Sequence, residues 1–383
     1  MKRHFLILLV LQILVLPGKA QKSKVLSVFH LIEAEKYEDA KKAIEEAITE
    51  ENTARWPKTW YARGFLCQVA YEKGIAGNDK KKYELYPDQL YVAYESYQNA
   101  LVLDHSGRLN SQLEPLFVNL ANDFQKLGER HFQSARFSEA LRAFETSVNI
   151  IEGPVLIMKA DTSLVYNTAL SAYESKEWPK AILYLRQLNK VSYSPEVSKL
   201  LFDVFLETGD TISAEDALSD GIDRYEENKE LVLLLADFLV KRNDFDKAIQ
   251  VLDHAVTESP SDYIFPYTRG LVYQKRGHYP EAILSYENAA KLAPGEVKIY
   301  SGLGTCYYNM GVEIEENALS IKTKKNLLEE KEKSRKAFQS AVEYFRKVLE
   351  MDPEDQYSVT KLYQLYKVLG MTENIRSLEH RIR

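Results

Sequence analysis

The chain has 383 residues, with 50 Lys or Arg against 56 Asp or Glu for a formal charge of −6, and two cysteines. An acidic balance disfavours a nucleic-acid partner, because phosphate binding needs a Lys/Arg surplus on some face. The two cysteines exclude a disulfide framework, and Cys67 and Cys306 read as buried thiols.

At the N-terminus Lys2 and Arg3 precede an apolar run from Phe5 to Leu16, followed by Pro17, Gly18, Lys19 and Ala20. A basic start, a short apolar core and small residues at Gly18 and Ala20 describe a secretory signal peptide over residues 1–20, cleaved between Ala20 and Gln21. The run is well short of the ~20 apolar residues that a spanning helix needs, so export is preferred to anchoring. Cleavage removes Lys2, Arg3 and Lys19 and no acid, which takes the charge to about −9. No cysteine stands near the cleavage point for lipid attachment, and no later stretch is apolar enough to span. There is no N-x-S/T sequon, which favours a bacterial periplasm over a eukaryotic secretory route.

From residue 21 to residue 383 the chain reads as one array of helical hairpins, expected at roughly 21–54, 57–107, 121–154, 162–195, 195–228, 229–262, 263–296, 297–355 and 356–383. The register is clearest in "RGLVYQKRGHYPEAILSYENAAKLAP", residues 269–294. Relative to Gly270, the residues Ala282, Tyr286, Ala289 and Pro294 stand at offsets 12, 16, 19 and 24. In the preceding segment Ala236, Ala248, Leu252, Ala255 and Pro260 keep those offsets, 34 residues earlier. Self-similarity at such a period signals stacked supersecondary units. Gly270 and Ala282 are expected where the two helices of a hairpin cross. Gly277 and Pro280 punctuate the turn, and Pro294 stops the second helix. Tyr286, with its counterparts Leu252, Leu218, Leu185 and Phe144, is expected to supply the large apolar knob between neighbouring hairpins.

A 34-residue helix–turn–helix with these small, aromatic and proline slots resembles the tetratricopeptide repeat, carried by the stretch above and by "LGTCYYNMG". The resemblance implies an all-α, right-handed α-solenoid of about nine repeats, with degenerate units at both ends. The unit "YNTALSAYESKEWPKAILYLRQL" and the hairpin "YYNMGVEIEENAL" are further similar to exported bacterial tetratricopeptide proteins of the cell envelope, a group that brings no established activity.

Two repeats depart from the period. Between Gly64 and Ala93 there are 17 residues more than the standard 12 allows, placing an insertion at about 72–90 that reads as a loop with a short helix. Between Gly304 and Ala341 there are 25 more, within 312–336, charged and helix-favouring, which should lengthen both helices into an arm. The arm is either a solvated decoration or a docking element. Residues 109–132 should form one long helix. The basic clusters at 79–82 and 322–325 are short and flanked by acids, and read as solvated faces.

H-E-x-x-H, C-x-x-C, G-x-S-x-G and phosphate-loop motifs are missing, and the seven histidines (His4, His30, His105, His131, His254, His278, His380) include no i, i+4 pair. No enzyme, metal or cofactor is implied. In the fold that the resemblance implies, the first helix of each hairpin lines a concave groove. Its groove slots here hold Tyr61, Phe65, Phe132, Tyr166, Tyr173, Tyr267, Leu271 and Tyr308, with Gln125, Glu129, Asp203, Asp237, Gln274 and Asn309 between them. Such a surface suits an extended peptide or a protein segment of the cell envelope. Rows of tyrosines also stack on sugars, so a glycan- or peptidoglycan-associated module is the alternative. Whether each aromatic faces the groove or packs between helices is left open by the sequence.

Overall fold

The computed structural model describes residues 17–226, 228–378 and 381. The apolar core of the expected signal peptide therefore lies outside the described residues, while residues 17–20 begin the first helix. Among the described residues there is no strand, and nine helical hairpins follow in chain order. Each first helix is taken with its partner: α1 (Pro17–Glu33) with α2 (Tyr37–Thr49), α4 (Pro57–Gly77) with α6 (Gln89–Leu103), α7 (Asn110–Gln133) with α8 (Phe137–Ile151), and α9 (Thr162–Glu174) with α10 (Trp178–Asn189). Next come α11 (Pro195–Glu207) with α12 (Thr211–Arg224), α13 (Lys229–Lys241) with α14 (Phe245–Glu258), and α15 (Ile264–Arg276) with α16 (Tyr279–Leu292). The last two are α17 (Val297–Ala318) with α18 (Lys324–Met351) and α19 (Gln356–Leu369) with α20 (Thr372–Leu378). The short helices α3 (Glu51–Ala54) and α5 (Lys80–Tyr83) sit between them. No helix among the described residues is long and apolar enough to cross a membrane. The chain divides into two compact units, one ending at Tyr193 and the other beginning at Ser194.

Local chemistry sets the helix ends. Asp161, Asp210, Asn228 and Asp355 each accept a hydrogen bond from the backbone N–H three residues on, at 2.9, 3.0, 3.2 and 2.7 Å. These caps satisfy donors that a helix start leaves orphaned. The turn between paired helices passes through the left-handed region. Gly277 takes it at φ 83°, whereas Ala135 and Lys176 take it at 54° and 60°, a conformation that costs an L-residue roughly 1–2 kcal/mol.

Packing follows the offsets. The first neighbour of a Cβ built at Gly270 is the ring of Tyr286, 2.8 Å away, and the same ring lies 2.8 Å from a Cβ built at Gly302 of the next hairpin. The knob therefore seats on small residues of its own hairpin and of its neighbour. The same pairing recurs as Gly128 with Phe144, at 2.7 Å and again 16 residues apart. Across the insertions it recurs as Gly64 with Tyr97 and Gly304 with Phe345, at 2.5 and 3.0 Å. Those separations are 16 residues plus the 17 and 25 extra residues counted in the sequence.

The arm is a true extension of its hairpin. Gly304 meets Phe345, and seven residues along α17 and seven back along α18 Gly311 meets Phe338, at 2.6 Å. Small residues facing large ones at heptad spacing let the two antiparallel helices approach closely. Ser334 Oγ donates to Gly311 O at 3.0 Å and fixes the register. The expected long helix at 109–132 is α7. Both thiols are free and buried, and burial pushes each up to about 12, so neither offers a thiolate nucleophile at neutral pH.

Candidate binding cleft

The insertion at 72–90 forms one wall of a concavity in the first unit. Its first part continues α4 to Gly77, and Asn78 ends the helix in the left-handed conformation. Asp79 then caps α5 by accepting from Lys81 N at 3.1 Å. Gly74 lets α5 lie directly on α4, since a Cβ there would be 2.5 Å from Tyr83 N. The buried Gln89 pins the returning chain, accepting from Tyr86 N at 3.1 Å and donating to Cys67 O at 2.9 Å and Lys82 O at 3.0 Å. From the first hairpin, Lys41 Nζ donates to Leu85 O at 2.6 Å, and Glu45 accepts from both Tyr86 and Arg63 at 2.8 Å. The insertion is thus a fastened wall, held by buried polar contacts whose loss would leave unsatisfied groups.

Between that wall and α7 lies a hollow of about 660 Å³, bordered by Tyr83, Tyr86, Tyr91, Leu127 and His131. A second hollow of about 670 Å³, between α4 and α7, is bordered by Glu72, Asn119, Asn122, Asp123, Lys126 and Glu129. Both include Tyr71, Ile75 and Arg130, so they adjoin along that line. Arg130 donates to the Tyr71 hydroxyl and holds the line in place. Ile75 is 40% exposed over both hollows. At the outer edge Arg142 lies 3.6 Å above the Tyr91 ring and bonds Asp88 at 3.1 Å.

Two groups here lack partners among the described residues: Asp123 Oδ2 and His131 Nδ1. Burial, with the Glu72 carboxylate nearby, pushes Asp123 up to about 6, against the opposing pull of Lys126 and Arg130. Burial and the neighbouring Arg136 charge push His131 down. A partly desolvated carboxyl without a donor, flanked by amides, can accept from a ligand N–H or cation. Tyr71, which borders the second hollow with Glu72 and Asp123, is only 8% exposed with its hydroxyl engaged. No group of three His, Cys, Asp or Glu that could hold a metal occurs among the described residues.

The aromatics expected from the sequence are all half-buried, each with a ring neighbour. Tyr61 and Phe65 come together, stacked at 6.2 Å with Phe29 beside both at 6.0 Å. Phe132 meets Phe137 at 5.1 Å, Tyr166 meets Tyr193 at 5.3 Å and Tyr173 meets Trp178 at 5.9 Å. In the second unit Tyr267 lies 5.7 Å from Tyr286, and Tyr308 lies 6.1 Å from Phe338 with Lys361 Nζ 4.0 Å over its ring. Of the polar groove slots, Glu129 borders the second hollow, Asp237 pairs with Lys241 at 2.7 Å and Gln125 donates to Ser147 at 3.3 Å. Gln274 is turned inward instead, accepting from the Tyr286 hydroxyl at 2.7 Å. The residues that sequence reasoning missed are Tyr71, Ile75, Asn119, Asn122, Asp123 and Arg130; the available signal was the run of polar residues recurring at helical spacing through α7.

Comparison with known proteins agrees with the repeat geometry. A family described as tetratricopeptide repeat matches residues 331–355, from within α18 to just beyond its end. The chain thus carries a match to the tetratricopeptide repeat. A second family, the ChAPs (Chs5p-Arf1p-binding proteins), matches residues 161–294 of these repeats. The repeats are 21% identical over 215 residues to the BBSome complex member BBS4 of Bos taurus, across 56% of this chain. The match spans 41% of that curated relative's length. Among solved structures, a TPR repeats protein from Bacteroides fragilis NCTC 9343 aligns with a TM-score of 0.37 at 17% identity, covering 65% of this chain and 98% of that one. MamA from Desulfovibrio magneticus RS-1 aligns with a TM-score of 0.34 at 19% identity, covering 51% and 96%.

Proposed function

We propose that this tetratricopeptide protein is a non-enzymatic scaffold that holds an extended segment of a partner protein in the cleft of its first unit. The observation that carries the reading is the pair of adjoining hollows meeting at Tyr71, Ile75 and Arg130, each within the ~300–1,000 Å³ range of ligand sites. The trough offers an apolar contact at Ile75, amides at Asn119 and Asn122 for peptide groups, and the unpartnered Asp123 carboxyl for a donor. The partly buried aromatics Tyr61, Phe65, Phe132, Tyr166 and Tyr173 of the first unit, and Tyr267 and Tyr308 of the second, border neither hollow and would serve as further contacts for a bound segment, each within its own unit. The protein works in the bacterial periplasm after removal of residues 1–20, and its partner belongs to the cell envelope.

Affinity capture of envelope proteins on the wild-type protein and on an Ile75→Arg, Asn122→Ala variant of equal helicity tests the binding site. One partner retained by the wild type and lost by the variant supports it; equal retention contradicts it. N-terminal sequencing of the protein from cell fractions tests the location, with Gln21 expected as the first residue in the periplasmic fraction.

A further inference from the structure

The arm ends in a turn that carries lysines and aliphatic residues. From Asn317 to Leu328 there is no acid, in a protein with 56 of them. Lys322, Lys324 and Lys325 are all exposed, and the first ion pair met along α18 is the later Lys333 with Glu330, at 2.7 Å. Around them Leu319 is 87% exposed and Leu328 59%, with Ile321 and Leu327 half-buried beside them. The acids of the arm are set back from the turn, at Glu313, Glu315 and Glu316 on α17 and at Glu329, Glu330 and Glu332 on α18. Behind the tip α18 interleaves its acids with Lys331, Lys333, Arg335 and Lys336, whereas the tip itself carries lysines and no acid.

Length places this tip clear of its hairpin neighbours. With 22 residues, α17 has nine more than α15, which at 1.5 Å per residue carries the turn roughly 14 Å further. The apex is convex, with its most exposed leucine at the end of the helix. A convex, lysine-ringed aliphatic tip fits a soft anionic plane better than a pocketed protein surface. Lysines meet the headgroup phosphates and the leucine side chains enter the boundary beneath them.

We propose that residues 317–328 form a peripheral anchor that docks the arm end-on to an anionic lipid bilayer. The inference uses a surface separate from the cleft and stands or falls independently of it. Three near-surface lysines are each worth roughly a fivefold gain in partitioning, so reversing all three should cost at least about 100-fold.

Flotation of the chain from residue 21 onward with large unilamellar vesicles tests this, using phosphatidylcholine alone and phosphatidylcholine with phosphatidylglycerol. The expected result is binding to the phosphatidylglycerol vesicles only, weakened by high salt and abolished in Lys322→Glu, Lys324→Glu, Lys325→Glu. A second variant, Leu319→Asp with Leu328→Asp, should bind at least several-fold more weakly while keeping the wild-type circular dichroism. No flotation with phosphatidylglycerol, equal flotation with both lipids, or undiminished flotation of the lysine variant would each overturn the proposal.

Discussion

The Tyr286 hydroxyl donates to Gln274 Oε1 at 2.7 Å, while its ring fills a slot left by two glycines, Gly270 of the same hairpin and Gly302 of the next. The same unit is built in the second hairpin, where Tyr97 donates to Gln68 at 2.9 Å and packs on Gly64. In both, glutamine stands four residues after the glycine. Where the knob is Phe144 or Phe345, that fourth position holds Phe132 or Tyr308, because no buried hydroxyl needs an acceptor.

Adding a methyl group at Gly270 or Gly302 should push the Tyr286 ring out of its slot, since either Cβ would come within 2.8 Å of it. Each Gly→Ala variant is expected to lose about 1–3 kcal/mol despite alanine's better helix propensity. Urea unfolding measures this, and a stabilised variant would show that the ring is loosely held.

Replacing Gln274 by Leu leaves the buried Tyr286 hydroxyl without its acceptor and should cost about 1–3 kcal/mol. Adding Tyr286→Phe to that variant should restore much of the loss. A double-mutant cycle with no coupling would separate the two residues energetically.

Ala135→Gly and Lys176→Gly place glycine where the turn demands positive φ, at 54° and 60°. Each should stabilise by about 0.5–1 kcal/mol, the left-handed strain relieved exceeding the entropy lost. Thermal unfolding midpoints that fall instead would contradict the turn geometry.

The pH dependence of stability should carry the signature of Asp123. Its carboxyl sits at about 6 in the fold, above the ordinary 3.8, so the folded chain holds this proton more tightly than the unfolded one. Its contribution to stability is therefore present at low pH and is lost as pH rises from about 4 through about 6. Asp123→Asn should be more stable than wild type at pH 7 by on the order of 1 kcal/mol, allowing for solvent screening in an open cleft, and equal to it near pH 3. A difference independent of pH would mean that Asp123 is not the titrating group.

The repeat was legible because its spacing is enforced by contact. Counting from Gly64 and Gly304 locates Tyr97 and Phe345 across insertions of different length, since a glycine slot and its ring must stay paired whatever is spliced between them. The arm was legible for a related reason: charged helix formers without proline or glycine can only lengthen the helices they interrupt. The cleft was not. Its wall depends on the three hydrogen bonds that Gln89 makes, two donated and one accepted, and on Gly74 admitting α5, pairings that leave no periodic trace in the chain. Gln274 was misplaced because a polar residue on a first helix looks groove-facing until its tyrosine partner is located.

Site-specific photo-cross-linking tests the central claim most directly. A photoreactive residue at position 75, between the two hollows, is compared in intact cells with one at the exposed Val102, which borders neither hollow. The account predicts that position 75 captures one short, defined segment of a single partner protein, identified by mass spectrometry, and that position 102 does not. Indistinguishable cross-links from the two positions, or none from position 75, would contradict it.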